Sequence, residues 1–371
     1  MRASLLAYRN LVCMESNKDL YSITENHLYS DSSFTNTVNG GDAYSFINML
    51  SQFHSPNIVS SAITVRAKWF VSMNELEHVG RESHSDDFHG GWFNDEIAAL
   101  SSLKLGVRFH AGDFIRTFNH NNAEFGDIIA EGSPPPNISF KRNAPIVPNA
   151  IKDIDCSSLQ EINNIGKMSE GNYSSLIKAA RTYQNALWIC ETNPNLAWLL
   201  LVSSLETAAQ QWHKSKTTEI ETLEESKPEL FNLLNTEDYK SLIPNIAESI
   251  SPYLGATRKF RNFCLNFLPS EPENRPGEEI FRICWKKQSL REIFNTVYNH
   301  RSKALHGGLP FPDPMCKAPN MGGHFSEICV TSLLTTLGGT WSSKDAPVTL
   351  NTFNHMTHSI LNQWWSTLYE S

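Results

Sequence analysis

Between Ser289 and Gly308 the apolar residues Leu290, Ile293, Phe294, Val297, Tyr298, Ala304 and Leu305 recur three and four positions apart, the spacing of one buried helix face. The slot between Tyr298 and Ala304 is filled by Arg301. A guanidinium keeps its charge, and burying it unpaired costs several kcal/mol. The face that carries Arg301 must therefore meet a carboxylate, a symmetry mate or a polyanion such as RNA. Glu206, on an upstream predicted helix, is the candidate carboxylate.

His306 follows five residues later, where Gly307-Gly308 stops the helix. Five residues turn the chain by about 500°, which leaves Arg301 and His306 about 140° apart around the axis. In the last turn before a glycine cap, unpaired carbonyls favour a protonated imidazole. An imidazole that exchanges a proton near neutral pH, beside a fixed cation that holds phosphate, is a minimal set for cleaving RNA without a metal. The ribose 2′-hydroxyl then attacks the adjacent phosphate.

At these residues the chain resembles the HEPN domains, and among them the Apea-like HEPN group. The resemblance rests on Arg301-Ser-Lys-Ala-Leu-His306, on the Gly-Gly that follows, and on an upstream helix pair, Tyr173 to Cys190 and Asn195 to Trp212. It covers roughly Gly171 to Gly308 and does not reach the first 150 residues. The resemblance implies an all-α bundle that pairs through its motif helices, so that Arg and His of two protomers line one cleft. It also implies metal-independent RNA cleavage in toxin or anti-phage systems, with Arg301 and His306 catalytic. Members usually carry Asn, Asp or His directly after the Arg. Ser302 stands there in this chain, and a hydroxyl orients a neighbour more weakly than an amide or carboxylate does. Asn299 and Ser302 are the supporting candidates, to hold phosphate or orient His306. The competing reading is an inactive module that binds RNA or a partner protein, in which Arg301 only pairs with Glu206.

A net charge of −8 argues against general affinity for nucleic acid. The charge is uneven, however: from Arg258 to Lys303 ten basic residues face five acidic ones. Lys303, Arg291 and Lys287 belong to that basic stretch and are the RNA-binding candidates. Phe260, Phe263 and Phe267 interleave with it at helical spacing, which reads as core.

The expected fold class is α+β, with a mixed α/β N-terminal domain over residues 1–165 and a HEPN-like helical bundle over 166–371. Ile58 to Val71 is rich in β-branched residues and predicts a strand, whereas Asn94 to Leu105 opens with capping residues and predicts a helix. Gly132-Ser-Pro-Pro-Pro-Asn137 and the aperiodic stretch to Ser158 predict a linker. Further helices are expected over Thr217 to Asn235, broken at Pro228, and over Ile243 to Phe267, broken at Pro244 and Pro252. Others are expected over Gly277 to Lys287, Ser326 to Leu337 and Thr352 to Tyr369. No apolar run approaches the roughly 20 residues of a membrane span, and Arg9 and Asn10 interrupt the first apolar stretch, so a cytoplasmic location is expected.

Seven scattered cysteines without a Cys-x2-Cys pair predict neither a disulfide framework nor structural zinc, and Cys190, Cys264 and Cys284 read as buried thiols. The cluster His84 to His89, made a loop by Gly90-Gly91 and followed downstream by His110, Asp113 and His120, is more in keeping with a polar surface turn than with a metal site, and His355 with His358 lack a carboxylate partner. No Walker loop, dinucleotide fingerprint, nucleophile elbow or His-Glu-x-x-His occurs. The expectation is a metal- and cofactor-free endoribonuclease acting on single-stranded or loop RNA as a homodimer. A phage-derived trigger or an inhibitory partner would control it.

Overall fold

The computed structural model describes residues 5–39, 43–49, 59–72, 88–118, 124–129, 134–138, 144–214, 216–236, 238–251, 254–272, 275–321, 324–329, 334–336 and 339–369. It has the expected α+β class, an antiparallel sheet followed by a largely helical C-terminal part.

The chain opens with helix α1 (Leu6–Glu15) and strands β1 (Ser22–Ser30), β2 (Ser33–Thr35), β3 (Tyr44–Asn48) and β4 (Ser60–Trp69). Helix α2 (Phe93–Leu105) leads into β5 (His110–Phe118) and β6 (Asp127–Ile128). The five-stranded sheet has the order β3-β4-β1-β5-β6. Ile63, Val65 and Ala67 of β4 point inward at the two-residue period of a strand. Helix α2 is buried almost all round, from Phe93 through the small residues Ala98, Ala99, Ser101 and Ser102 to Leu105. A helix without a polar face must lie between two layers. One is the sheet, where Phe93 packs on Tyr44, Trp69 and Phe114; the other is helix α3 (Glu170–Ile189).

One hydrophobic core runs without a break from Leu5 to Leu368 and crosses position 165. Buried Glu96 of α2 secures that junction. Its carboxylate accepts the backbone N–H groups of Leu6 (2.9 Å) and Ala7 (2.8 Å), the Tyr173 hydroxyl (2.8 Å) and a contact from His89 Nε2 (2.9 Å). A buried carboxylate persists only when so fully satisfied. Buried Arg108, just before β5, donates to Asp31 Oδ2 at 2.7 Å and 3.0 Å. The stretch expected as a linker is anchored at its C-terminal end: Glu191 accepts the N–H groups of Ile146 and Val147, and β7 (Asp153–Asp155) pairs in parallel with β2.

Helix α3 and helix α4 (Pro194–Lys214) form the expected hairpin. The acidic segment is broken at Pro228 into α5 (Glu219–Ser226) and α6 (Pro228–Leu234); α7 (Ile243–Ile250) and α8 (Ala256–Asn266) follow. Pro244 does not break a helix but starts α7, where its missing N–H costs nothing. Helices α5, α6 and α7 surround a small separate core of Leu223, Ile243 and Ala247. The motif helix α9 (Lys287–Gly307) packs on α8 and α4, and α10 (Leu350–Ser366) packs on α4 and α2.

Two helix expectations fail. Over Gly277 to Lys287 the chain makes only a 3-10 turn, Glu279–Phe281. Its backbone is bound from outside instead: the Ile283 N–H donates to Glu327 Oε2 (2.8 Å) and Arg275 donates to the Ile283 carbonyl (2.6 Å). Over Ser326 to Leu337 the described residues are not helical. Leu334–Thr336 (β10) pairs with Gly339–Trp341 (β11), after a smaller hairpin of β8 (Asn320–Met321) and β9 (His324–Phe325). Thr335, Thr336 and Thr340 suit strands. Cys284 is also misjudged, since it is exposed while the other six thiols are buried. Phe260, Phe263 and Phe267 are core, as their spacing predicts.

Candidate functional site

Arg301 lies on the flank of α9 that faces α4. Its Nη2 donates to Glu206 Oε2 at 2.6 Å, and the Tyr298 hydroxyl donates to Glu206 Oε1 at 2.9 Å. The guanidinium also lies over the Tyr298 ring, 5.6 Å from its centroid. Helical geometry explains the cluster: Tyr298 precedes Arg301 by three residues and shares its face. The sequence reading took Tyr298 only as core. Its signal was a tyrosine on an apolar stripe, because a buried phenol requires a hydrogen-bond partner.

Arg301 and Glu206 are 19% and 21% exposed, so the pair sits at the rim of the bundle, where a ligand can reach it. Burial pushes the Glu206 carboxyl above the ordinary glutamate value, and the opposing pull of Arg301 and of the two hydrogen bonds does not cancel it. A short ion pair and a raised carboxyl coexist because desolvation exceeds the attraction. Burial and the nearby Glu206 carboxylate likewise raise the Tyr298 phenol. Within this cluster the Arg301 Nε–H is buried without a hydrogen-bond partner.

His306 is exposed in the last turn of α9, and Gly308 closes the helix in the left-handed region at φ 64°, with its N–H on the Lys303 carbonyl. Asn299, Ser302 and His306 fall on one stripe, since steps of three and four residues return to the same face. Asn299 is exposed and Ser302 half-buried. That stripe lies about 100° to 160° from Arg301 around the axis. A single chain therefore orients Arg301 toward the bundle rim and His306 toward open solvent. Leu305 and Leu309, 50% and 58% exposed, border His306 with apolar surface.

Lys303, Arg291 and Lys287 are all exposed. Lys303 lies about 200° from Arg301 and belongs to the His306 side, whereas Lys287 returns to within about 40° of the Arg301 side, some 21 Å along the axis. These cations flank the motif without converging on one point.

The other clusters carry no site. His84 and His120 lie outside the described residues. His89 is turned inward to Glu96, and His110 is exposed against Trp188. No group of three potential metal ligands converges among the described residues. His358 is buried beside the Lys104 carbonyl, and burial pushes its imidazole down to about 3, so it is a packed neutral side chain. Among the described residues no helix is long and apolar enough to cross a membrane.

No protein-family model, no curated protein and no solved structure matches the chain.

Proposed function

We propose that the protein is a metal-independent endoribonuclease of the HEPN type, acting on single-stranded or loop RNA in toxin or anti-phage defence. The observation that carries this reading is the Arg301 cluster. A guanidinium fixed by Glu206 at the bundle rim, and partly open to solvent there, is a preorganised phosphate donor on the same helix as an exposed imidazole. Two copies meeting through α9 would join the Arg301 flank and the His306 stripe of both chains into one cleft, and exposed Leu305 and Leu309 supply apolar surface for that contact.

In this mechanism one His306 takes the proton from a ribose 2′-hydroxyl, and the 2′-oxygen forms a bond to the adjacent phosphorus. Arg301 stabilises the charge on the phosphorane. The bond from phosphorus to the 5′-oxygen breaks, and a protonated His306 gives the leaving oxygen its proton. The products are a 2′,3′-cyclic phosphate and a 5′-hydroxyl. Asn299 and Ser302, on the His306 stripe, hold phosphate or orient the ring. A cytoplasmic enzyme of this kind needs restraint, and the N-terminal part is the candidate for sensing a phage-derived trigger or an inhibitory partner.

The test is cleavage of a total-RNA or tRNA pool in EDTA by wild type, Arg301→Ala and His306→Ala, after circular dichroism confirms folding. Loss of a general acid–base lowers the rate by about 10² to 10⁴, and loss of a charge-stabilising donor by about 10² to 10³. Cleavage retained in both variants, or abolished by EDTA in wild type, refutes the mechanism.

A second reading is favoured by the pairing of Arg301 within its own chain and by Ser302 at the orienting position. Here the module binds RNA or a partner protein without cutting. It predicts RNA retention without cleavage by wild type and by His306→Ala alike.

A further inference from the structure

Glu206 is followed seven residues later by His213, on the same face of α4 and about 10 Å further along its axis. There the helix ends at a cleft of about 520 Å³, between α4, the small core of α5 to α7, and the start of α8. Its lining includes Trp212, His213, Lys216, Arg258, Lys259 and Glu225. A volume of that order holds a nucleotide-sized ligand.

The charge in this cleft is not balanced. Glu225 is paired with Arg258 at 3.0 Å, and Arg258 also donates to Ser226 Oγ. Lys259 is half-buried and donates to the Ser251 carbonyl at 3.1 Å; Lys216 lies over the Trp212 ring, 5.1 Å from its centroid. Among the described residues neither lysine has a carboxylate partner. Burial lowers the Lys259 ammonium, and the neighbouring cations Arg258 and Lys214 lower it further. Burial followed by Lys259 and Arg258 does the same to His213, whose Nε2 contacts Thr222 Oγ1 at 3.0 Å. Like charges held together in a concave, partly desolvated place are relieved by an anion.

We propose that this cleft binds the phosphate group of a nucleotide, free or within an RNA chain. Lys259 and Lys216 donate to the phosphate oxygens, Arg258 stays tethered by Glu225 as the third cation, and the Trp212 ring forms the apolar wall beside the base. This site is separate from Arg301, and its occupation does not depend on RNA cleavage.

Calorimetric titration of the full chain with AMP, adenosine, inorganic phosphate and a single-stranded RNA of about 12 nucleotides tests the proposal. AMP should bind, adenosine should bind at least roughly tenfold more weakly, and Lys259→Met and Lys216→Met should each weaken AMP roughly tenfold. Denaturant midpoints of both variants establish that they fold. If the phosphate belongs to RNA, the oligonucleotide binds more tightly than AMP, and each lysine substitution lowers the slope of log affinity against log salt by about 0.7. If it belongs to a free nucleotide, AMP binds at least as tightly as the oligonucleotide. Equal binding of adenosine and AMP, no binding of any phosphate-bearing probe, or affinities unchanged in both folded lysine variants overturns the proposal. Arg301→Ala, outside the cleft, should leave AMP binding intact, so failure of the cleavage reading and failure of this one are read separately.

Discussion

Replacing Glu206 by Gln and by Ala should have very different effects on stability, and the contrast follows from one physical quantity. The Glu206 carboxylate accepts from Arg301 and Tyr298, yet burial raises its pKa above the ordinary glutamate value. Its ionised form is therefore less favourable in the folded protein than in the unfolded chain, despite a 2.6 Å ion pair. Glu206→Gln keeps the volume, one carbonyl acceptor for Arg301 and an amide that can donate to the Tyr298 hydroxyl. It should change stability at pH 7 by less than about 1 kcal/mol. Glu206→Ala leaves two donors at a rim that is only about one-fifth exposed. Losing one charge-assisted and one phenolic hydrogen bond costs about 3–4 kcal/mol in a dry core, and partial access of water reduces this to about 2 kcal/mol. The sign of the pH dependence follows from the raised folded value. The protonated carboxyl's extra stability is fully present below the unfolded pKa and is lost as pH rises through the folded value. Urea unfolding of wild type and both variants from about pH 4 to 7 is the assay. Wild type should lose stability across the lower part of that range relative to Glu206→Gln. If Gln costs as much as Ala at pH 7, the attraction outweighs desolvation and the reasoning is wrong.

Three further outcomes are expected. Asp31→Ala strands the fully buried Arg108 and should destabilise by about 3–5 kcal/mol, measured by denaturant unfolding; a loss below about 1 kcal/mol would mean that water reaches the guanidinium. Burial holds the His358 imidazole down to about 3, so its contribution to stability is present above the unfolded pKa near 6.5 and is lost as pH falls toward the folded value. Between pH 6 and 4 wild type should lose up to about 1.4 kcal/mol per pH unit more than His358→Gln, and equal slopes in the two proteins would exclude the buried neutral ring. Gly308→Ala places a Cβ in the left-handed region at φ 64° with open space around it, so strain alone should cost about 1–2 kcal/mol, read as a lower thermal midpoint without loss of helicity.

Local periodicity made much of this fold legible. The motif helix, the α3–α4 hairpin and α2 form where apolar spacing places them, because that pattern reports which face of an isolated segment seeks burial, and β4 forms where β-branched residues are concentrated. The pairing of Arg301 with Glu206 was also foreseeable, since a cation on an apolar stripe demands a carboxylate and Glu206 sits on the neighbouring helix. The 3-10 turn at Glu279–Phe281 and the hairpin of β10 and β11 were not foreseeable in this way. Their backbone hydrogen bonds go to a side chain far along the chain or to a neighbouring strand, and no helical or strand period records those partners. The cleft around Lys259 was hidden for a related reason: its cations come from the turn after α4 and from α8, more than forty positions apart.

The sequence by itself determined that Arg301 must be paired and that His306 ends its helix, because both follow from charge burial and from the glycine stop within a few turns of chain. Tertiary structure alone decided that sheet and helices share one core around the buried carboxylate of Glu96. Burial is a property of what lies across from a side chain, and a linear pattern specifies the face that must be covered without specifying what covers it.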